Sequence, residues 1–138
     1  MKIFILEDDP NRIEWIRKNF DEKIELDITD QAEVGMKWLR ERQYDIIFLD
    51  HDLGGDQMVS SDVWNTGATV ARMIHETDNK HLTVIVHSYN PTGARIMIDT
   101  MRGNGIRCFY FHFQGNEFIE TVQQINGQIK SSINEEKV

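Results

Sequence analysis

The chain has 138 residues, of which 40% are hydrophobic and 28% charged, the proportions of one folded domain that buries its own core, with disorder expected only at the polar end, residues 130–138. A net charge of −8 excludes a general nucleic-acid surface and an anionic-membrane surface, since both rest on clustered Lys and Arg. The single cysteine, Cys108, excludes disulfide and cysteine-cluster metal chemistry and reads as a small core residue.

The opening segment, Met1 to Leu6, is a short apolar run that turns acidic too soon for a secretory signal. No run approaches the ~20 apolar residues that span a bilayer. A cytoplasmic protein with no membrane partner is expected. The first strand is Ile3 to Leu6. Asp9-Pro10 then reads as N-cap and first helical residue, with Ile13, Ile16 and Phe20 on one helix face. A second strand, Ile24 to Ile28, leads to a helix opened by the capping box Asp30 and Glu33, with Ala32, Met36 and Leu39 turned inward. Ile46 to Leu49 is a third strand. After it, Leu53 to Asn65 lacks periodicity, and a loop of that length points to a lid or binding loop.

Asn65-Thr66 precedes a third helix with Val70, Met73 and Ile74 apolar, and Leu82 to Val86 is the fourth strand. Asn90-Pro91 repeats the cap-plus-proline device before a helix whose Ala94, Met97, Ile98 and Met101 share one stripe, closed by Gly103 and Gly105. Cys108 to Phe113 is the fifth strand, and Asn116 caps a last helix bearing Phe118, Val122, Ile125 and Ile129. Trp15, Trp38 and Trp64 read as packing residues. The alternation predicts an α/β fold: one doubly wound (βα)5 domain over residues 1–130 around a five-stranded parallel sheet, then a polar tail, 131–138.

In such a sheet the carboxyl ends of all strands open on one edge. That edge gathers Glu7, Asp8 and Asp9, then Asp50, His51 and Asp52, then His87, Ser88 and Asn90, with His112 at the end of strand five. Carboxylates on neighbouring tips repel one another unless a cation joins them, and an oxygen-rich set suits Mg2+ or Mn2+. The helix N-termini at Asp9-Pro10 and Asn90-Pro91 favour an anion at the same edge. A cation and a phosphate together satisfy both demands. Asp9 also serves as a simple helix cap.

Across roughly residues 1–128 the plan resembles the receiver domain of response regulators. Glu7-Asp8-Asp9 resembles its metal-binding acidic cluster, Tyr44-Asp45-Ile46-Ile47-Phe48-Leu49-Asp50 its third strand ending in the phosphoacceptor aspartate, and Ser88 its Thr or Ser. The resemblance implies strand order 2-1-3-4-5 and a phosphorylatable Asp50 beside Mg2+. The fifth strand departs from it: His112-Phe113-Gln114 stands where a receiver has Lys-Pro. Asp50-His51-Asp52-Leu53-Gly54-Gly55, Asn65-Thr66-Gly67 and His87-Ser88-Tyr89-Asn90-Pro91 are together similar to the divergent cyclic-phosphate processing receiver domains.

Strand alternation, with Asp50 and Ser88 facing as in a receiver, turns His51 and His87 together to the other side. Two histidines across a cyclic phosphodiester suit general base and general acid, or, alternatively, metal ligands beside the carboxylates. The expectation is metal-assisted phosphoester hydrolysis, at an RNA end or on a nucleotide. His51, His87 and Asp50 are the catalytic candidates; Asp8, Asp9, Asp50 and Asp52 are the candidates for Mg2+ or Mn2+. Ser88, Asn90 and Asn65 are the candidates for phosphate. The alternatives are a signalling receiver that takes a phosphoryl group on Asp50 from a histidine kinase, and a degenerate receiver that only binds proteins.

Overall fold

The computed structural model describes residues 1–55 and 57–136. Short β-branched and aromatic runs form the strands β1 (Lys2–Leu6), β2 (Glu25–Thr29), β3 (Ile46–Leu49), β4 (Thr83–Val86) and β5 (Arg107–Tyr110). Between and after them lie α1 (Pro10–Asn19), α2 (Ala32–Glu41), α3 (Gly67–Ala71) with a 3-10 turn at Ile74–Glu76, α4 (Pro91–Gly103) and α5 (Asn116–Glu136). All strand pairs are parallel and the order is β2-β1-β3-β4-β5. The doubly wound α/β plan of the sequence is therefore the fold, in the expected strand order.

Side chains alternate across the sheet into two apolar layers. Phe4, Leu6, Ile47, Leu49, Val84 and Val86 pack with Met36 and Leu39 of α2, Val70 of α3 and Met97 of α4. Ile3, Ile5, Phe48 and Ile85 pack on the opposite face with Ile16 of α1 and Phe118, Val122 and Ile125 of α5. The expected core methionines Met36, Met73, Met97 and Met101 are buried, as is the free Cys108. Trp15 and Trp38 pack against these layers, whereas Trp64 is 62% exposed. No helix among the described residues is long and apolar enough to cross a membrane.

Asp9 caps α1 through Oδ1, which accepts from Asn11 and Arg12 N–H, and Asn90 caps α4 by accepting from Gly93 N–H. The α2 cap differs from its expectation. Gln31 is the N-cap without a side-chain bond, and Ala32 N–H donates instead to Asn65 Oδ1 at 2.8 Å, so a distant loop supplies what a local capping box was expected to supply. β5 stops at Tyr110 because β4 stops at Val86. Phe111 N–H makes one further bond to Val86 O, and the chain then turns, Gly115 N–H donating to His112 O. His112 is thus on an exposed turn beyond the strand. α5 continues through Glu136, past the boundary expected at residue 130, since no Gly or Pro interrupts 128–136.

Candidate functional site

Register decides which strand-tip residues meet. Leu6 pairs with Leu49, and Leu49 with Val86, all three in the layer under α2, α3 and α4. The next residues, Glu7, Asp50 and His87, therefore line up on the opposite side, facing α1 and α5. This corrects the expected parity: Asp50 shares its side with His87, and His51 and Ser88 lie on the other. The expectation aligned Asp50 with Ser88, one residue out of the observed register.

Glu7 is fully buried and anchors the cluster. Its Oε2 accepts from the backbone N–H of Asp8 (2.9 Å) and Asp9 (3.2 Å). Its Oε1 accepts from Arg12 Nη1 (3.1 Å) and lies 3.3 Å from His87 Nε2. Burial alone pushes this carboxyl up, but the hydrogen bond and charge of His87, the bond to Asp50 and the Arg12 charge outweigh it and hold Glu7 well below the usual carboxylate range. His87 is itself fully buried behind Glu7, among Phe48, Phe113 and Phe118 at centroid distances of 5.9–6.2 Å. Its Nδ1 has no hydrogen-bond partner among the described residues.

Arg12 is a site group that the strand-tip pattern does not reveal. It falls four residues before Ile16 on the inward stripe of α1, so its buried guanidinium enters the site from the helix. Nη1 reaches Glu7 and stands 3.8 Å from Asp50 Oδ2. A cation thus occupies the cluster although β5 carries no lysine. The signal was present: an arginine on an otherwise apolar stripe, one helical turn from an acidic strand tip.

Asp50 is 4% exposed. Burial pushes its carboxyl up, Glu7 adds a negative charge and a hydrogen bond, and despite the opposing Arg12 charge the value reaches about 9. Asp8 is also raised, by burial and by the Glu7 charge, against the bond its Oδ2 accepts from Gly55 N–H at 2.7 Å. One carboxylate oxygen from each of Glu7, Asp8 and Asp50 lies within 4.8 Å of the others. Three crowded oxygen donors, one of them kept protonated, match the hard-ligand set of Mg2+ or Mn2+. Asp9 and Asp52 stand outside this trio, Asp9 being engaged in capping α1. A cleft of about 220 Å³ opens on the cluster, lined by Asp8, Asp9, Arg12, Asp50, Asp52 and Tyr89 among others.

The other side of the β3 tip forms a separate network. Asp52 Oδ1 accepts from Val59 N–H (3.1 Å) and Asn90 Nδ2 (3.1 Å), and Oδ2 from Met58 N–H (2.7 Å). His51 Nδ1 lies 2.8 Å from Asp52 Oδ1, and its Nε2 lies 2.8 Å from Ser61 Oγ. The ring thus bridges the Asp52 carboxylate and the Ser61 hydroxyl. Burial raises the Asp52 carboxyl, and the bonds from His51, Asn90, Met58 and Val59 more than reverse that, leaving it lowered. This clasp ties the loop after β3 to α4. It also explains Gly93: a Cβ there would lie 2.5 Å from the His51 ring. Gly67 has the same logic, since a Cβ would overlap the Asp50 carbonyl.

The three candidate phosphate residues occupy structural positions. Asn90 divides its side chain between the α4 cap, Asp52 and the Val59 carbonyl, and Asn65 caps α2. Ser88 Oγ accepts from Asn90 N–H at 3.0 Å. His51 and His87 lie on opposite sides of the sheet edge, each bonded to its own carboxylate.

A sequence model of the Cyclic-phosphate processing Receiver domain matches residues 1–103. No curated protein matches the chain. Solved structures of like fold include a CheY-like response regulator receiver domain from Methanospirillum hungatei JF-1, 14% identical, with a TM-score of 0.60 over 99% of this chain and 95% of that one. The receiver domain of sensor histidine kinase PA1611 from Pseudomonas aeruginosa PAO1, with magnesium coordinated in its active-site cleft, is 18% identical (TM-score 0.64; 91% and 97% covered). Response regulator protein TrrA from Thermotoga maritima, in complex with Mg(2+)-BeF, is 20% identical (TM-score 0.60; 90% and 97% covered). These likenesses establish a receiver fold. The sequence match is narrower and runs from β1 through α4, taking in the Glu7, Asp50, His51 and His87 tips, so the chain belongs to the cyclic-phosphate processing receiver domain family.

Proposed function

We propose that the chain hydrolyses cyclic phosphodiesters with the help of a divalent cation held by Glu7, Asp8 and Asp50. The observation that carries this reading is the Arg12 guanidinium, buried between Glu7 and Asp50 at the floor of the cleft. A planar cation fixed beside a metal-ligand trio opposes the negative charge that grows on a phosphoryl group under attack. A bound Mg2+ or Mn2+ supplies Lewis acidity and an activated water at neutral pH. The magnesium in the active-site cleft of the PA1611 receiver domain supports the same use of this edge.

The chain's own residues do the positioning. Glu7 takes up two backbone amides, Arg12 and His87, which fixes its carboxylate plane. Asp9 caps α1 and thereby sets the turn that carries Arg12. Asp52 lines the cleft as a carboxylate braced by His51. His51 and His87 act through these carboxylates as positioning residues.

A second reading, phosphoryl transfer to Asp50 from a histidine kinase, is favoured by one observation: Arg12 supplies a cation 3.8 Å from Asp50, while the carboxyl end of β5 carries no lysine. One set of kinetic measurements separates the two. Wild type, Asp50→Asn and Arg12→Lys are incubated with 2′,3′-cyclic nucleotides and Mg2+ or Mn2+, and separately with acetyl phosphate. The proposal expects turnover in the wild type that drops roughly 100-fold or more in both variants. A phosphoprotein formed from acetyl phosphate in the wild type and absent in Asp50→Asn, with no cyclic-ester turnover, would overturn it in favour of signalling.

A further inference from the structure

Tyr89 stands at the mouth of the Asp50 cleft and is 63% exposed. The Arg12 guanidinium carbon lies 3.7 Å from its ring centroid, so one ring face rests on a planar cation. A ring so covered on one face, yet exposed over most of its surface, offers the other face to solvent. The backbone on either side of it is pinned. Tyr110 donates its hydroxyl proton to Ser88 O at 2.6 Å, and Asn90 N–H donates to Ser88 Oγ while its side chain caps α4. Arg12 is fixed in turn by Glu7. One guanidinium thus separates a pre-oriented aromatic platform from the carboxylate cluster.

The cleft holds about 220 Å³, less than the ~300 Å³ at which sites begin to enclose a drug-sized ligand. It accommodates a phosphate and part of a sugar, and any flat ring attached to them must lie outside, over Tyr89. We infer that Tyr89 is a stacking platform for the base of a mononucleoside phosphate whose phosphate sits at Arg12 and the Glu7, Asp8 and Asp50 trio. The inference relies on the proposed function for the position of the phosphate and for nothing else. Stacking needs only a π-face, so it discriminates nucleotides from base-free phosphates without choosing strongly among bases. The net charge of −8 disfavours a long polynucleotide as the ligand.

The test compares adenosine 3′-monophosphate with methyl phosphate by calorimetric titration of the Mg2+-loaded protein. Wild type is expected to bind the nucleotide roughly 5- to 150-fold more tightly than methyl phosphate, the range that a base–aromatic stack contributes. Tyr89→Leu should bring that ratio close to one, and Tyr89→Trp should keep or raise it. Because each protein is compared with itself, a general loss of folding or metal does not imitate the effect. A ratio near one in wild type, a ratio unchanged in Tyr89→Leu, or no binding of either phosphate overturns the inference. A Tyr89-dependent ratio in a protein that turns over no cyclic ester upholds the platform and refutes only the hydrolytic reading.

Discussion

Replacing Asp50 by asparagine should remove a pH-dependent term from the stability of the fold. The Asp50 carboxyl has an ordinary value of 3.8 and is raised to about 9, because burial disfavours its anion and the buried Glu7 charge lies against it. Between those values the folded chain keeps a proton that the unfolded chain has released. The stability due to this group is therefore complete below about pH 4, declines as pH rises, and is gone by about pH 9. One proton corresponds to about 1.4 kcal/mol per pH unit, so between pH 5 and 8 the group accounts for up to roughly 4 kcal/mol. Glu7 does not cancel this slope. Its carboxyl is held below its ordinary value of 4.5, so its contribution is lost only as pH falls below that range. Asparagine can donate an amide N–H to Glu7 where the protonated carboxyl does, and it takes up no proton. Urea unfolding of wild type and Asp50→Asn in EDTA, at pH 5, 6, 7 and 8, isolates the term as a difference. The variant should gain on the wild type at each step and be clearly the more stable at pH 8. A difference that stays constant across the range would mean that Asp50 is ionised in the fold and that this pH dependence does not exist.

Because the same proton must leave before a cation is bound, Mg2+ or Mn2+ uptake at pH 7 should release close to one proton, and affinity should rise by up to about tenfold per pH unit toward pH 9. Calorimetry in buffers of different ionisation heat checks this, and binding without proton release contradicts it. Arg12→Met should cost about 3–5 kcal/mol by taking the guanidinium away from the buried Glu7 carboxylate, with much of the loss recovered in the double variant Arg12→Met, Glu7→Leu. Denaturant midpoints of wild type, Arg12→Met, Glu7→Leu and the double variant decide it, and strictly additive losses would count against the pair. His51→Ala should cost about 3 kcal/mol or more, because it opens a cavity and deprives Asp52 of a partner, whereas Ser61→Ala should cost about 0.5–1.5 kcal/mol. Equal losses would show that the clasp depends on Ser61 as much as on the ring.

Local signals in the sequence carried most of the fold. Asp9-Pro10 and Asn90-Pro91 mark true helix starts because their cap bonds close within three residues. The α2 cap was illegible for the opposite reason: Asn65 reaches Ala32 across 33 residues. The end of β5 depends on where its neighbour β4 stops, which no pattern within Cys108 to Phe113 records. The site shows the same division. The acidic tips were visible as ionisable residues after apolar runs, but which of them meet depends on register, and pairing Leu49 with Val86 sets Asp50 beside His87 instead of Ser88. Arg12 was hidden by its place on a helix, since a search along strand ends does not reach a side chain that arrives from α1.

Under the proposed function the cluster of Glu7, Asp8, Asp50 and Arg12 opens a cyclic phosphate with the aid of a divalent cation, which phosphorus NMR of uridine 2′,3′-cyclic phosphate mixed with the wild-type chain and Mg2+ can follow. The cyclic-diester resonance should give way to a monoester resonance, and EDTA should halt the conversion. A cyclic resonance that persists unchanged, in protein that binds Mg2+, would contradict that function.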